Sequence, residues 1–324
     1  MGYIVESLRQ LFGGAPRRLA KDELPLEVQA IYTEKRKVRL TKAKLLSVRA
    51  EHHRACCNKW QRRRWATLIV VNLLFVVSYF FDVQLLEGAL TASRFVGFHM
   101  ADLNSALQVM LAYKHVVLNL MIGTVTVLIM WILLGGRSFC SWVCPYHLLA
   151  EWAEYLHLWL VKKKIVKNRT FHRGVRTFIY LIFALLALVT GYTVYETISP
   201  TGILSRALIY GPGVALLWVV ALLLFEVLVS RRAWCRYVCP IGMTYGIVGT
   251  VSPLRVKYNV KDCHHEGDCR NLCMVPHVLS MTIRGRSPGV DVDVGADCTR
   301  CGMCVDVCPT DSLNFVFKGV GKHM

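Results

Sequence analysis

The sequence predicts an α-helical polytopic membrane protein, with four transmembrane helices in a duplicated hairpin and a small α+β domain at the C-terminus. Three observations carry that reading. Hydrophobic residues make up 54% of the 324 and the mean hydropathy is +0.41, too apolar for a domain with a solvated face. Four apolar stretches, at 65–81, 116–134, 175–195 and 213–230, approach or reach the ~20 residues a helix needs to cross a bilayer. Thirteen cysteines are present, most of them in close-spaced runs from position 140 onward.

Charge sets the orientation. The net charge of +18 crowds beside the apolar stretches, with Arg62, Arg63 and Arg64 leading into the first. Lys162, Lys163, Lys164, Lys167, Arg169 and Arg173 lie between the second and third stretches. The connections at 82–115 and 196–212 carry only Arg94, Lys114 and Arg206. Basic loops stay on the cytoplasmic side, so both termini are predicted to be cytoplasmic. Membrane lipid accounts for the basic charge; no nucleic-acid-binding module is recognisable. No apolar leader opens the chain, which argues against a secreted disulfide framework.

Three regions follow: a basic N-terminal segment at 1–64, a membrane domain at 65–249 and a Cys-rich domain at 250–324. In the first, 24–46 reads either as an amphipathic helix on the membrane surface or as a solvated tail. His52, His53, Cys56 and Cys57 cluster there, and adjacent cysteines chelate one ion poorly, so free thiols are expected. In the second, Arg137-Ser-Phe-Cys140-Ser-Trp-Val-Cys144-Pro145 is echoed by Arg232-Ala-Trp-Cys235-Arg-Tyr-Val-Cys239-Pro240. Each follows a hairpin of two spans, so the membrane domain reads as a duplicated unit.

The third region carries the most specific signal. Cys298-x2-Cys301-x2-Cys304-x3-Cys308-Pro309 is the bacterial ferredoxin run, whose fourth cysteine crosses to a second cluster. Its upstream partner is Cys263-His-His-Glu266-Gly-Asp-Cys269-Arg-Asn-Leu-Cys273, with Glu266 where a cysteine is expected. By the crossed pattern Cys273, Cys298, Cys301 and Cys304 hold a [4Fe–4S] cluster. Cys263, Cys269 and Cys308 serve a second, [4Fe–4S] or [3Fe–4S], with Glu266 facing its remaining iron. Glu266 ligates, His264 or His265 substitutes, or the site stays a three-cysteine one. A hard carboxylate on a soft-ligand cluster would be labile. Short β-prone segments at 254–260, 281–284, 290–294 and 313–317 complete a ferredoxin-like α+β domain, too small to be held by its apolar core alone.

Cys140 with Cys144, and Cys235 with Cys239, are i, i+4 pairs that would share a helical face, with the following prolines interrupting the helix. Arg137 and Arg232 would favour thiolate. A metal or cluster site, a redox dithiol and a docking surface all remain open readings.

Together these motifs resemble the NapH/MauN ferredoxin-type membrane proteins. Residues 139–145, 273–279 and 301–309 carry the match, which spans roughly 60–318. The resemblance implies electron transfer from quinol toward a periplasmic redox enzyme or electron-carrier subunits, of the nitrate-reductase or methylamine-utilisation type. Asp82, Glu87, His99, Lys114, His115 and Glu196 are the protonatable groups expected at the outer face, and none is assigned a catalytic role. A maturation factor for a periplasmic enzyme and a redox sensor are the alternative classes. Haem is not expected, because no histidines face one another within the spans.

Overall fold

In the computed structural model, residues 2–37, 47, 58–81, 86–90, 92–95, 98–115 and 117–318 are described. His52, His53, Cys56, Cys57 and Asp82 lie outside them, as do the side chains of Glu87 and His99.

Two helices, α1 (Tyr3–Leu11) and α2 (Leu26–Lys37), precede the long α3 (Lys59–Phe80). An antiparallel meander follows, β1 (Leu86–Ala89), β2 (Ala92–Phe95) and β3 (Phe98–Ala101). Next come α4 (Leu103–Tyr113), α5 (Leu118–Leu134), α6 (Ser138–Trp142) and α7 (Pro145–Lys162). The second half runs α8 (Gly174–Thr190), α9 (Val194–Ile198), α10 (Pro200–Tyr210), α11 (Leu216–Leu228), a π-helical turn at Trp234–Val238 and α12 (Pro240–Val248).

The repeat in sequence is therefore a repeat in structure. Each half has an apolar helix, a short helix, a second apolar helix, a cysteine-bearing turn and a helix opened by proline. The short helices α4 and α10 are each started by a side-chain cap. Asp102 accepts the Asn104 N–H at 3.1 Å, and Ser199 Oγ accepts the Gly202 N–H at 3.4 Å. Neither was anticipated from the sequence.

All four apolar stretches are helical, but their lengths differ. Among the described residues only α3, with 22 residues, is by itself long and apolar enough to cross a bilayer. Helices α5 and α8 have 17 residues and α11 has 13. At ~1.5 Å per residue the last is well short of a ~30 Å hydrocarbon layer. Each of the three nonetheless turns an apolar stripe outward at i, i+3, i+4 spacing. Leu118, Ile122, Val125 and Ile129 lie on α5, Phe178, Leu181, Leu185 and Val189 on α8, and Leu217, Val220, Leu224 and Leu228 on α11.

The C-terminal domain contains β4 (Leu254–Asn259), α13 (Asp268–Leu272), β5 (Asp291–Asp293), α14 (Met303–Asp306) and β6 (Leu313–Phe317). Its antiparallel sheet has the order β5-β4-β6, with Lys257 opposite both Asp293 and Asn314. The expected strand at 281–284 is not one. Met281 and Thr282 close a 3₁₀ run, Pro276–Thr282. Local bonds meet the backbone's needs there: the Ile283 N–H donates to Ser280 O and Thr282 Oγ1 to Leu279 O, so no neighbouring strand is required.

The N-terminal helices correct a second expectation. Helix α2 carries Val28, Ile31 and Tyr32 on one stripe, which packs into the C-terminal core beside Val256, Tyr258, Val260 and Phe315. Lys35 Nζ donates to the carbonyl oxygens of Val260 and Cys263 at 2.5 and 2.6 Å. From α1, Ser7 Oγ accepts the Ala296 N–H, and Tyr3 donates to Val294 O. The described part of 24–46 is thus neither a membrane-surface helix nor a solvated tail. A small sheet with too little core of its own is covered by helices from the other end of the chain.

Val28 is fully buried. Val28→Asp places an unpaired charge in that core, so trypsin is expected to cleave the first 37 residues many-fold faster than in the wild type, read by limited proteolysis of the intact protein.

Candidate iron–sulfur sites

The ferredoxin run is built into the base of the helical bundle. Asp297, next to Cys298, is buried against three basic side chains. Arg137 Nη1 pairs with its carboxylate and donates to its carbonyl at 2.8 Å, Arg176 Nη2 approaches at 2.9 Å and His277 Nε2 at 2.9 Å. Burial alone would raise the Asp297 pKa, but Arg137 and Arg176 override it and hold the carboxyl well below the usual range. Ser141 Oγ donates to Thr299 O at 2.7 Å, and Trp142 Nε1 to Arg300 O at 3.0 Å. Arg300 returns bonds to the carbonyls of Gly135, Gly249 and Leu254. Asp306 accepts the N–H groups of Trp60 and Gln61, capping the start of α3 with a carboxylate.

The upstream run is anchored by the second repeat. Arg231 donates to Asn271 O and Cys273 O, and both Arg231 and Arg232 pair with Glu154 on α7. Arg232 Nη1 lies 3.1 Å from Met274 Sδ. The two arginines that precede the Cys-x3-Cys pairs are therefore committed to carboxylates. They serve docking, and Arg137 still acts electrostatically on Cys140, as Arg232 does on Cys235, each in the direction that favours thiolate.

This packing sorts the cysteines. Cys273 lies within electrostatic reach of Cys298 and Cys301, and Cys304 within reach of all three, with Cys269 a further, weaker neighbour of both Cys273 and Cys304. Cys263, Cys269 and Cys308 instead line one small cavity with His264, His265 and Glu266. The loops fit cluster ligation. Backbone N–H groups of His265, Val275 and Arg300 point at the sulfurs of Cys263, Cys273 and Cys298, at 3.3, 3.4 and 3.4 Å. Such N–H donors stabilise thiolate. They are aimed by left-handed backbone at His265 and Arg300, and Gly302, at φ +78°, lets Trp60 close over the loop. His265 Nδ1 lies 2.9 Å from Thr282 O and its ring 5.6 Å from that of Tyr32, while its buried Nε2 has no hydrogen-bond partner on the wall of this cavity. His264 is exposed, whereas Glu266 is half-buried in the cavity wall.

A second, small cavity is lined by Cys140, Cys144, Cys235 and Cys239 together with Arg137, His147, Thr201, Trp234 and Met274. The Cys-Pro pairs are not helix kinks, as expected, but helix starts. Cys144 is the N-cap of α7 and Cys239 that of α12, each with proline in the first turn, where its missing N–H costs nothing.

Sequence reasoning missed the buried polar set that surrounds these sites. Glu151 pairs with Arg64, Glu154 serves as above, and Asp102 accepts the Tyr245 hydroxyl at 2.6 Å. No motif marked them; the only signal was a pair of carboxylates three apart on one apolar helix. Of the outer-face residues, Glu196 accepts from Ser105 Oγ, while Lys114 and His115 are exposed.

Comparison with known proteins places these sites in context. Family models described as 4Fe-4S binding domains match residues 116–167 and 212–259, and residues 296–314. The chain is 31% identical over 261 residues to the ferredoxin-type protein NapH of Escherichia coli K12, covering 78% of this chain and 89% of that one. It is 30% identical over 264 residues to the methylamine utilization ferredoxin-type protein MauN of Methylorubrum extorquens, covering 81% and 90%. MauN of Paracoccus denitrificans is 31% identical over 245 residues, covering 74% and 84%. No solved structure matches.

Asp297→Ala leaves Arg137 and Arg176 buried without their carboxylate, a loss of about 3–5 kcal/mol that should lower the thermal midpoint of the detergent-solubilised protein. Asp293→Ala, which removes a partly exposed partner of Arg255, is expected to cost about 1 kcal/mol or less.

Proposed function

The chain belongs to the NapH/MauN family of ferredoxin-type proteins, and from that premise we propose that it takes electrons from quinol in the bacterial inner membrane and passes them toward a periplasmic redox enzyme. That it is an iron–sulfur electron-transfer protein follows from its relatives and its cluster-binding domains. The observation that supports the finer reading is the seating of the cluster loops. They rest on the helical bundle through Arg137–Asp297, Trp142–Arg300 and Arg231–Cys273, so cysteine ligands stand beside the apolar belt where a lipid-soluble donor resides. We place four crossings at α3, α5, α8 and α11, the shorter three completed by adjoining turns, with both ends cytoplasmic. The outward apolar stripes support this.

In this reading Cys273, Cys298, Cys301 and Cys304 hold a [4Fe–4S] cluster. Cys263, Cys269 and Cys308 hold the second, with Glu266 offering oxygen to the remaining iron. When bound, the clusters supply one-electron carriers. The protein's part is to exclude water, point N–H groups at the sulfurs and fix the two sites relative to the bundle.

Two outcomes test the proposal. Anaerobic addition of a short-chain quinol to the purified protein is expected to produce the EPR signals of reduced clusters; absence of reduction with both ubiquinol- and menaquinol-type donors would overturn the quinol reading. Glu266→Cys is expected to abolish a [3Fe–4S] signal that brief ferricyanide oxidation raises in the wild type, and equal signals in both proteins would show that Glu266 is no ligand.

A further inference from the structure

We propose that Cys140, Cys144, Cys235 and Cys239 together bind one further four-iron cluster, shared between the two repeats and buried where α6, α7, the π-helical turn and α12 meet. The family model matching each half is described by its cluster but names no ligand. Two cysteines per half do not complete a site, and the geometry joins them. All four line one cavity, two from each repeat.

Its size is the first argument. It is a small void like the one shared by Cys263, Cys269 and Cys308, and four thiols face it. The spacing of the sulfurs is the second. All four are free rather than disulfide-linked. Among the described residues no group of three His, Cys, Asp or Glu converges closely enough for a single metal ion, and that holds for the ferredoxin cysteines too. A set of four thiols around one void suits a polynuclear core.

Electrostatics is the third. A cluster held by four thiolates is an anion, and this cavity is lined for one. Arg137 is 2% exposed and its Nε–H has no partner; the Nε1–H of Trp234, 5% exposed, has none either, and both residues line the cavity. Cys144 and Cys239 occupy the N-terminal, positive ends of α7 and α12. Thr201 Oγ1 lies 3.2 Å from Cys144 Sγ and the Tyr195 hydroxyl 3.6 Å from Cys239 Sγ, placing hydroxyl donors on the sulfurs from the second repeat.

The fourth argument is position. Met274 lines this cavity while its neighbour Cys273 belongs to the Cys298–Cys304 group. Cys235 packs against both the C-terminal core and the bundle core. The site would therefore be the innermost of three in a row, closest to the apolar belt.

Iron and acid-labile sulfide per chain read the proposal directly, on full-length protein purified anaerobically in detergent. The wild type is expected to hold about eleven or twelve irons, and Cys140→Ser/Cys239→Ser about four fewer, with the EPR signals of the two C-terminal clusters retained. Equal iron in the two proteins, or a Cys140–Cys239 or Cys144–Cys235 disulfide in the wild type by non-reducing mass spectrometry, would overturn it. If the double variant does not accumulate, the wild-type count decides, since about eight irons or fewer leaves no third cluster.

Discussion

The docking of Arg137 onto Asp297 is the contact on which the rest of the molecule depends. It joins the first repeat of the helical bundle to the residue before the first cysteine of the ferredoxin run. Burying two charges gains little net stability when both partners are present, and losing either is costly. Such a pair therefore works as a register pin. With Asp297 fixed, Thr299 and Arg300 fall under Ser141 and Trp142, and Asp306 reaches the start of α3. One ion pair thus aligns the Cys298–Cys308 run with α6 and α3.

Its counterpart in the second repeat shows how a duplicated scaffold acquires asymmetry. Arg232 occupies the same motif position as Arg137 but pairs with Glu154 inside the bundle and touches Met274 beyond it. Arg231 makes the backbone contacts to the upstream run. The two halves of the bundle therefore hold the two halves of the cluster domain by the same residue type through different chemistry. A cytoplasmic ferredoxin would be free to diffuse; here each cysteine run has its own anchor.

Much of this was legible in the sequence. Cysteine spacing is dictated by the geometry of an inorganic core, so the runs at 263–273 and 298–308 announced their chemistry without knowledge of the fold. The repeated Arg-x2-Cys-x3-Cys-Pro motif exposed the duplication for a similar reason, because its spacing serves a local backbone geometry. What the sequence hid was long-range. Asp297 looks like any loop aspartate until Arg137, 160 residues away, is placed beside it. The role of Cys144 and Cys239 as helix starts was obscured by reading i, i+4 spacing as a continuous helix. The segment at 281–284 has the residues of a strand, but its backbone is satisfied by its own turns. Helix α2 has a weak apolar stripe, and nothing local says that its cover lies more than 200 residues downstream.

That last feature bears on how the protein is made. The N-terminal helices are synthesised first, yet the surface they cover, from Val256 to Phe315, emerges last. Between the two events the whole bundle must be synthesised. Val28, Ile31 and Tyr32 therefore wait unburied through most of translation, and closing so long a loop comes late in folding. Because Lys35 bonds to the carbonyl of Cys263, that closure falls on the cluster loop itself. The chain's beginning acts as a latch on its end, shut only after the C-terminal loops are complete.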